Sequence, residues 1–379
     1  MFRISTLLIT KVHKYNDLNF WNKLNNFSRN LKVSCTRTYY PTNLLQKRVW
    51  SNESKNRLSS LEILEDTYKR QGRIYSHNIE SVLKQSDEEW GTSNCGLLLL
   101  QCCGTLLVDQ NPQSRQALCE KVWKKLSELN SLSVLHYNAY IQICIQNNVY
   151  LNHKEFLQKM ICEANEDTYK LLMRCASEFG DTQNALGVLY LMKEKRYVAD
   201  EHVFMSLVLG HAIQGGLKEV LPVLKTMQTA HVPVSPQIIN SIIRGLVLHD
   251  NKEEFLEAFR QFSVQLSEAD LIQLMMVLGQ TDHHSWLDNV IQLIDPIQIS
   301  KQNVEEFNLM CSRLIHMGKT EAAMLYYKKF AEPSGSSGDD NYAFFLLVDM
   351  LSSHTPISKI IEIINELKRD GLNLVALEN

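Results

Sequence analysis

Residues 166–200 read EDTYKLLMRCASEFGDTQNALGVLYLMKEKRYVAD. Tyr169, Leu172 and Ala176, with Leu171 beside them, fall three and four apart. Ala185, Val188, Leu189 and Met192 repeat the spacing after Gly180 and Asp181. Each set lies on one face of a helix, and the Gly-Asp pair marks a tight turn between two amphipathic helices. One such hairpin cannot bury both of its faces and needs neighbours of the same build.

The neighbours are present. Tyr169, Phe204 and Ile239 recur at intervals of 35. So do Gly180, Gly215 and Asp250 in the turn, Ala185, Val220 and Phe255 in the second helix, and Met192, Met227 and Phe262 near its end. An upstream copy carries Tyr137, Asn148 and Met160, with a closing loop that brings Tyr137 to within 32 residues of Tyr169. Four aligned columns at this period predict a helix-turn-helix solenoid.

The copies resemble pentatricopeptide (PPR) repeats, whose pattern is an aromatic, Asn and aliphatic opening, a Gly turn, a central Ala, a late Met and a closing Pro-Asp. The matching residues are YNAYI at 137–141 and TYKLL at 168–172, with Gly180, Ala185, Met192 and Asp200 behind the second. The tetratricopeptide pattern does not fit. More narrowly, VLHYNAYIQICIQNNVYLNHKEFLQKM at 134–160 and the preceding GLLLLQCCGTLL are similar to the amino-terminal part of an animal mitochondrial member of the family, insect forms included. That resemblance runs roughly from Leu61 to Glu366. Such members are considerably longer, so the chain reads as a short form or a fragment. The resemblance implies an all-α fold, a right-handed superhelix of helical hairpins with irregular terminal hairpins.

It also implies single-stranded RNA on the concave face, one base per repeat, read by two or three side chains. In the family the discriminating positions are the residue after the opening aromatic and the last residue of the repeat. Carried over, they are Asn138 with Asn165, Lys170 with Asp200, Met205 with Ser235, and Asn240 with Asp270. An Asn amide offers a donor and an acceptor to a base edge. Asn240 with Asp270 resembles a uracil-reading pair, and Asn138 with Asn165 suits a pyrimidine. Met205 makes no strong hydrogen bond, and Lys170 suits a phosphate. The residue two before the aromatic, aliphatic in the family, is here Leu135, Asp167, His202 or Gln237, so loose sequence preference is expected. Arg174 and Arg244 share one slot two periods apart. With Lys170 they form either a stripe facing RNA phosphates or a set of solvated cations. The resemblance places the protein in the mitochondrial matrix, admits a nuclear or cytoplasmic pool, and implies support of mRNA stability, polyadenylation and translation. It adds a small RRM-containing protein as a partner. A protein-binding scaffold is the alternative, since concave solenoids serve that purpose too.

Charge divides the chain. The first fifty residues hold nine Lys or Arg and the single acid Asp17, a net +8; the whole chain is −3, so residues 51–379 carry −11. A basic, hydroxyl-rich, acid-poor leader with Phe2, Ile4, Leu7 and Leu8 on one face reads as a mitochondrial transit peptide, or else as a basic disordered tail. An acidic remainder opposes RNA on average, although Glu155, Glu219, Glu253, Glu254 and Glu257 are expected on second helices and loops, away from Lys170, Arg174 and Arg244. Nine cysteines at irregular spacing, without a CxxC pair, fit buried free thiols.

The expected organisation is a leader at 1–50, an irregular helical cap at 51–133, regular copies at 134–165, 166–200, 201–235 and 236–270, divergent hairpins at 271–331, a flexible loop at 332–341, and a last hairpin with tail at 342–379. Within the cap, 58–71 and the segment around Ser76 read as helices, and Leu97 to Val108 pairs with Gln116 to Leu129. Trp90 and Trp123 read as packing anchors. No run approaches the ~18 apolar residues of a membrane helix. No phosphate loop, HExxH helix, GxSxG elbow or deaminase-type HxE with CxxC occurs, so no catalytic residue, metal site or cofactor is assigned, and the chain is not expected to be an enzyme. His283 and His284 read as part of a turn before Trp286.

Overall fold

The computed structural model describes residues 64, 74–84, 93–107, 109–129, 132–262, 266–293, 303–330, 346–347, 349–351, 353 and 355–369. The leader at 1–50, the 58–71 segment apart from Leu64, Trp90, the 332–341 loop and the last residues from 370 onward lie outside them. Among the described residues the regular elements are helices, joined by one isolated bridge between Ile74 and Leu107. The cap consists of α1 (Ser76–Leu83), α2 (Ser93–Cys102) and α3 (Pro112–Glu128). Hairpins follow: α4 (Val134–Gln146) with α5 (His153–Lys159), and α6 (Glu166–Glu178) with α7 (Thr182–Glu194). Next come α8 (Glu201–Thr229), α9 (Pro236–Leu248) with α10 (Lys252–Phe262), and α11 (Glu268–Gln280) with α12 (Leu287–Leu293). The described array closes with α13 (Val304–His316), α14 (Thr320–Phe330) and α15 (Ile357–Arg369).

Helix starts follow from short polar side chains that accept from otherwise unpaired backbone N–H groups. Asn165 accepts from the Thr168 N–H at 2.9 Å, Asp181 from Asn184 at 3.0 Å, Asp200 from Val203 at 3.1 Å and Ser235 from Ile238 at 3.3 Å. Hairpin turns need one residue of left-handed backbone, a conformation that Gly, Asn and Asp tolerate best. It falls on Asn148, Gly180, Gly216, Asp250, Asp282 and Gly318, all with φ between 59° and 77°. Two expectations need correcting here. The left-handed residue of the third turn is Gly216 (φ 64°), not Gly215, which sits at φ −152° and ψ 25°; together they break α8 into the two helices of one hairpin. And α2 ends at Cys102 instead of running to Val108, so that Leu107 can turn back to bridge Ile74.

At Gly180 a Cβ would also meet Ile213 Cγ2 at 2.8 Å, whereas Gly318 has open space around it. Gly180→Ala is therefore expected to cost at least the roughly 1–2 kcal/mol of a left-handed non-glycine residue. Gly318→Ala should stay at that floor. A larger drop in urea midpoint for Gly180→Ala than for Gly318→Ala is the check.

The predicted columns build the core. Tyr169, Phe204, Ile239, Ala185, Val220, Phe255, Met192, Met227 and Phe262 are all buried in one continuous apolar cluster running from Ile141 to Val290. A second cluster runs from Ile272 to Ile363 and a third holds the cap. Trp123 is a packing anchor, with ring centroids 5.1 Å from Tyr137 and 4.5 Å from Tyr140. His283 stacks on Trp286 at 4.3 Å and meets Asp250 at 3.2 Å. The described cysteines are free thiols, and burial pushes Cys175 up to about 11 and Cys102 up to about 12.

Successive first helices pack directly on one another from α4 to α13. Glycine allows the closest approaches: a Cβ on Gly245 would lie 2.4 Å from Ala212 Cβ, and one on Gly210 would lie 3.2 Å from Ser177 Cα. The array also curls. Arg313 Nε of α13 donates to the Thr105 carbonyl beyond α2 at 2.9 Å, joining residues 208 apart in the chain.

Candidate nucleic-acid interface

The inner surface is built by the first helices, because side chains two hairpins apart meet across it. Arg244 of α9 reaches over α8 to Glu178 of α6, donating to Oε1 at 2.9 Å and also to Oε2. Such contact between next-nearest hairpins requires these helices to lie on the inside of the curve.

Three of the four sequence-derived pairs are brought into direct contact. Asn138 Nδ2 donates to Asn165 Oδ1 at 3.1 Å, while its own Oδ1 accepts from Thr168 Oγ1 at 2.7 Å. Lys170 Nζ lies 2.6 Å from Asp200 Oδ2. Asn240 Nδ2 donates to Asp270 Oδ1 at 3.0 Å. The fourth pair is not joined: Ser235 donates to the Glu201 carboxylate, and Met205 is half-buried against the core.

The geometry has a common cause. Asn165, Asp200 and Ser235 are the caps that start α6, α8 and α9, so each second-position residue holds the next helix and meets the previous one at once. Asp270 does not share this role. The cap of α11 is Ser267, three residues earlier, and Asp270 lies one turn inside the helix. There its Oδ2 accepts from the Ser267 N–H at 3.0 Å and hydroxyl at 2.6 Å, completing a reciprocal cap. The residues preceding the aromatics mostly face solvent: Leu135, Asp167 and His202 are exposed, and Gln237 is half-buried.

Each of the three proposed phosphate contacts carries a carboxylate partner. Lys170 lies 2.7 Å from Glu166 as well as touching Asp200. Burial works against the Lys170 charge, but the two carboxylates outweigh it and raise its pKa. Asp200 is in turn held below its ordinary range: burial raises it, and Lys170 overrides that. Arg174 is 3.6 Å from Glu178 and half exposed, while Glu178 itself is 8% exposed. Burial pushes the Glu178 carboxyl up, and Arg244 and Arg174 together bring it below the usual carboxylate range. Three cations thus face Glu166, Asp200 and Glu178, and the stripe has no net charge.

The sequence reading placed acids on second helices and did not single out Glu178. A signal was available, because the slot it fills holds Ile213 and Leu248 in the next two copies. A carboxylate in an otherwise apolar column calls for a buried partner. The sequence could not say that the partner is Arg244, 66 residues on.

Comparison with known proteins places residues 166–278 on the model of the family described as Pentatricopeptide repeat-containing protein. The chain is similar to the Leucine-rich PPR motif-containing protein, mitochondrial, of Xenopus tropicalis, 26% identical over 330 residues, which is 84% of this chain and 24% of that protein. It is 32% identical to the protein of the same name from Rattus norvegicus over 146 residues, and 32% to that from Mus musculus over 137 residues. The matched stretch spans about a quarter of the length of the first relative and 10% of each of the other two.

Proposed function

We propose, from a chain that carries pentatricopeptide repeats over residues 166–278, that this protein binds single-stranded RNA along the inner face of its solenoid. The observation that carries this reading is the pairing at Asn138–Asn165, Lys170–Asp200 and Asn240–Asp270, which sets polar side chains at one level of successive repeats. Amide and carboxylate groups already aligned with each other offer hydrogen-bonding edges at the spacing of stacked repeats. Met205 interrupts the row, so the sequence preference is loose. The relatives are named mitochondrial, and we place this chain there too, acting on organellar messages to support their stability, polyadenylation and translation.

The test is crosslinking of the native protein to mitochondrial transcripts, alongside a variant with Lys170, Arg174 and Arg244 all changed to Glu. Crosslinking should be lost in the variant. In vitro, each phosphate contact adds about 0.7 to the slope of log affinity against log salt for single strands, so losing three should flatten it by about 2. Unchanged crosslinking in the triple variant removes the proposed face.

One observation favours a second reading, a protein-binding scaffold: every cation of the stripe is already neutralised by a carboxylate. Salt-insensitive association with a protein that survives ribonuclease would select it.

A further inference from the structure

We propose that the Glu178 carboxylate is a built-in stand-in for phosphate, a clasp across the inner face that an RNA phosphodiester displaces. The proposal rests on the RNA reading above and adds a mechanism for its control.

The clasp is assembled from three inner helices at one level. Gly210 of α8 packs against Ser177 of α6, and Gly245 of α9 packs against Ala212 of α8, leaving little or no room for a Cβ at either. With no bulky side chain between them, α6 and α9 approach across α8, and Arg244 spans the gap. Its planar fork meets both oxygens of Glu178, and Arg174 approaches the same carboxylate from the preceding turn of α6. Two guanidinium groups converging on one two-oxygen anion form a phosphate-type site, since the Arg fork binds carboxylate and phosphodiester oxygens in the same bidentate manner.

The two anions exclude each other. A phosphate that takes the face of Arg244 now turned to Glu178 leaves that carboxylate, 8% exposed, beside another negative charge. Like charges at contact are unfavourable, and Glu178 must move away. Closed and RNA-bound arrangements are therefore alternatives, and a ligand shifts such a balance by its differential affinity for the two. Arg174 and Arg244 hold the strand only after the clasp has opened. Removing the Glu178 charge while keeping its shape should release both cations.

The experiment uses the full chain and a fluorescein-labelled single-stranded RNA oligonucleotide, titrated by anisotropy across a salt series. Glu178→Gln is expected to bind about tenfold more tightly, as one charge-assisted contact is no longer spent internally. Its salt slope should match that of the wild type, because the two bound states make the same phosphate contacts. Glu178→Asp, whose carboxylate is withdrawn by one methylene, serves as a second variant if the first does not fold, and should shift the same way. Hydrogen exchange of α6 and α9 gives an independent readout: RNA should speed exchange at this level in the wild type, and Glu178→Gln should show the change without RNA. Wild-type binding with equal affinity in the folded Glu178 variants would overturn the clasp and leave the RNA reading standing. Absence of RNA binding in all the proteins would overturn both. An exchange response to inorganic phosphate alone matching that to RNA would reassign the site to a free anion and overturn the proposal.

Discussion

Phe255→Ala should lower the stability of the array by about 3–5 kcal/mol, the usual cost of emptying a large buried aromatic site. Phe255 is fully buried, with ring centroids 5.8 Å from Phe259 and 5.4 Å from Trp286. It joins α10 to the 3-10 turn His284–Trp286, so the cavity would open at the junction between the regular copies and the hairpin that follows them. A stack is held by nearest-neighbour interfaces, and the damage should therefore be directional. Urea unfolding followed by circular dichroism should show the lowered midpoint. Limited proteolysis should cut first near α12, while the α4–α7 hairpins stay protected. Phe255→Leu, which refills most of the space, should recover much of the loss. A variant with the wild-type midpoint would mean that this ring does not connect the two parts.

The second large effect is expected from Arg244→Met, which keeps the apolar stem and removes the charge. Breaking a buried ion pair by deleting one partner costs about 3–5 kcal/mol when nothing replaces it; here Arg174 remains, and about 2–3 kcal/mol is expected. The loss should depend on pH, with a sign set by Glu178. In the wild type its carboxyl is held below the ordinary range. Its contribution is then fully present above the unfolded-state value and disappears as pH falls through the lowered folded value. In Arg244→Met, burial is opposed by Arg174 alone, the carboxyl moves up, and protonation relieves the unpaired charge. The gap in stability between the two proteins should be widest near neutrality, narrow as the variant carboxyl protonates, and close only as pH falls through the lowered wild-type value. Urea midpoints at pH 7 and pH 4 measure it, and a gap that does not narrow would show that the variant acts through lost packing instead.

Much of the fold was legible because each repeat states its own boundaries. Cap residues such as Asn165, Asp200 and Ser235, left-handed turns at Gly180 and Asp250, and buried columns such as Tyr169, Phe204 and Ile239 are all local signals. Neighbouring repeats are related by nearly one rigid step, so local signals also place residue pairs between them. That is why Asn138 and Asn165, or Lys170 and Asp200, paired through the resemblance to pentatricopeptide repeats, lie side by side. Where two neighbouring residues are equally competent, the choice between them is not local. Ser267 and Asp270 both start helices well, and the chain caps α11 with Ser267, a 32-residue step from Ser235. Gly215 and Gly216 are equally free to turn, and position decided between them. What no spacing could reveal was curvature. The Glu178–Arg244 pair depends on how far each stacking interface rotates, a property of packed helices such as Gly245 on Ala212 and of no single repeat.

The hydrogen bond from Arg313 to the Thr105 carbonyl has a consequence for how the array can vary. An open stack tolerates one unit more or fewer, because each unit answers only to the units beside it. A stack that bends back to touch its own beginning does not. The small rotations at every interface between α4 and α13 must sum to one fixed value for the two groups to meet, so the bond in effect counts the hairpins. Insertion or loss of a single hairpin would carry Arg313 past its mark and forfeit this closing hydrogen bond.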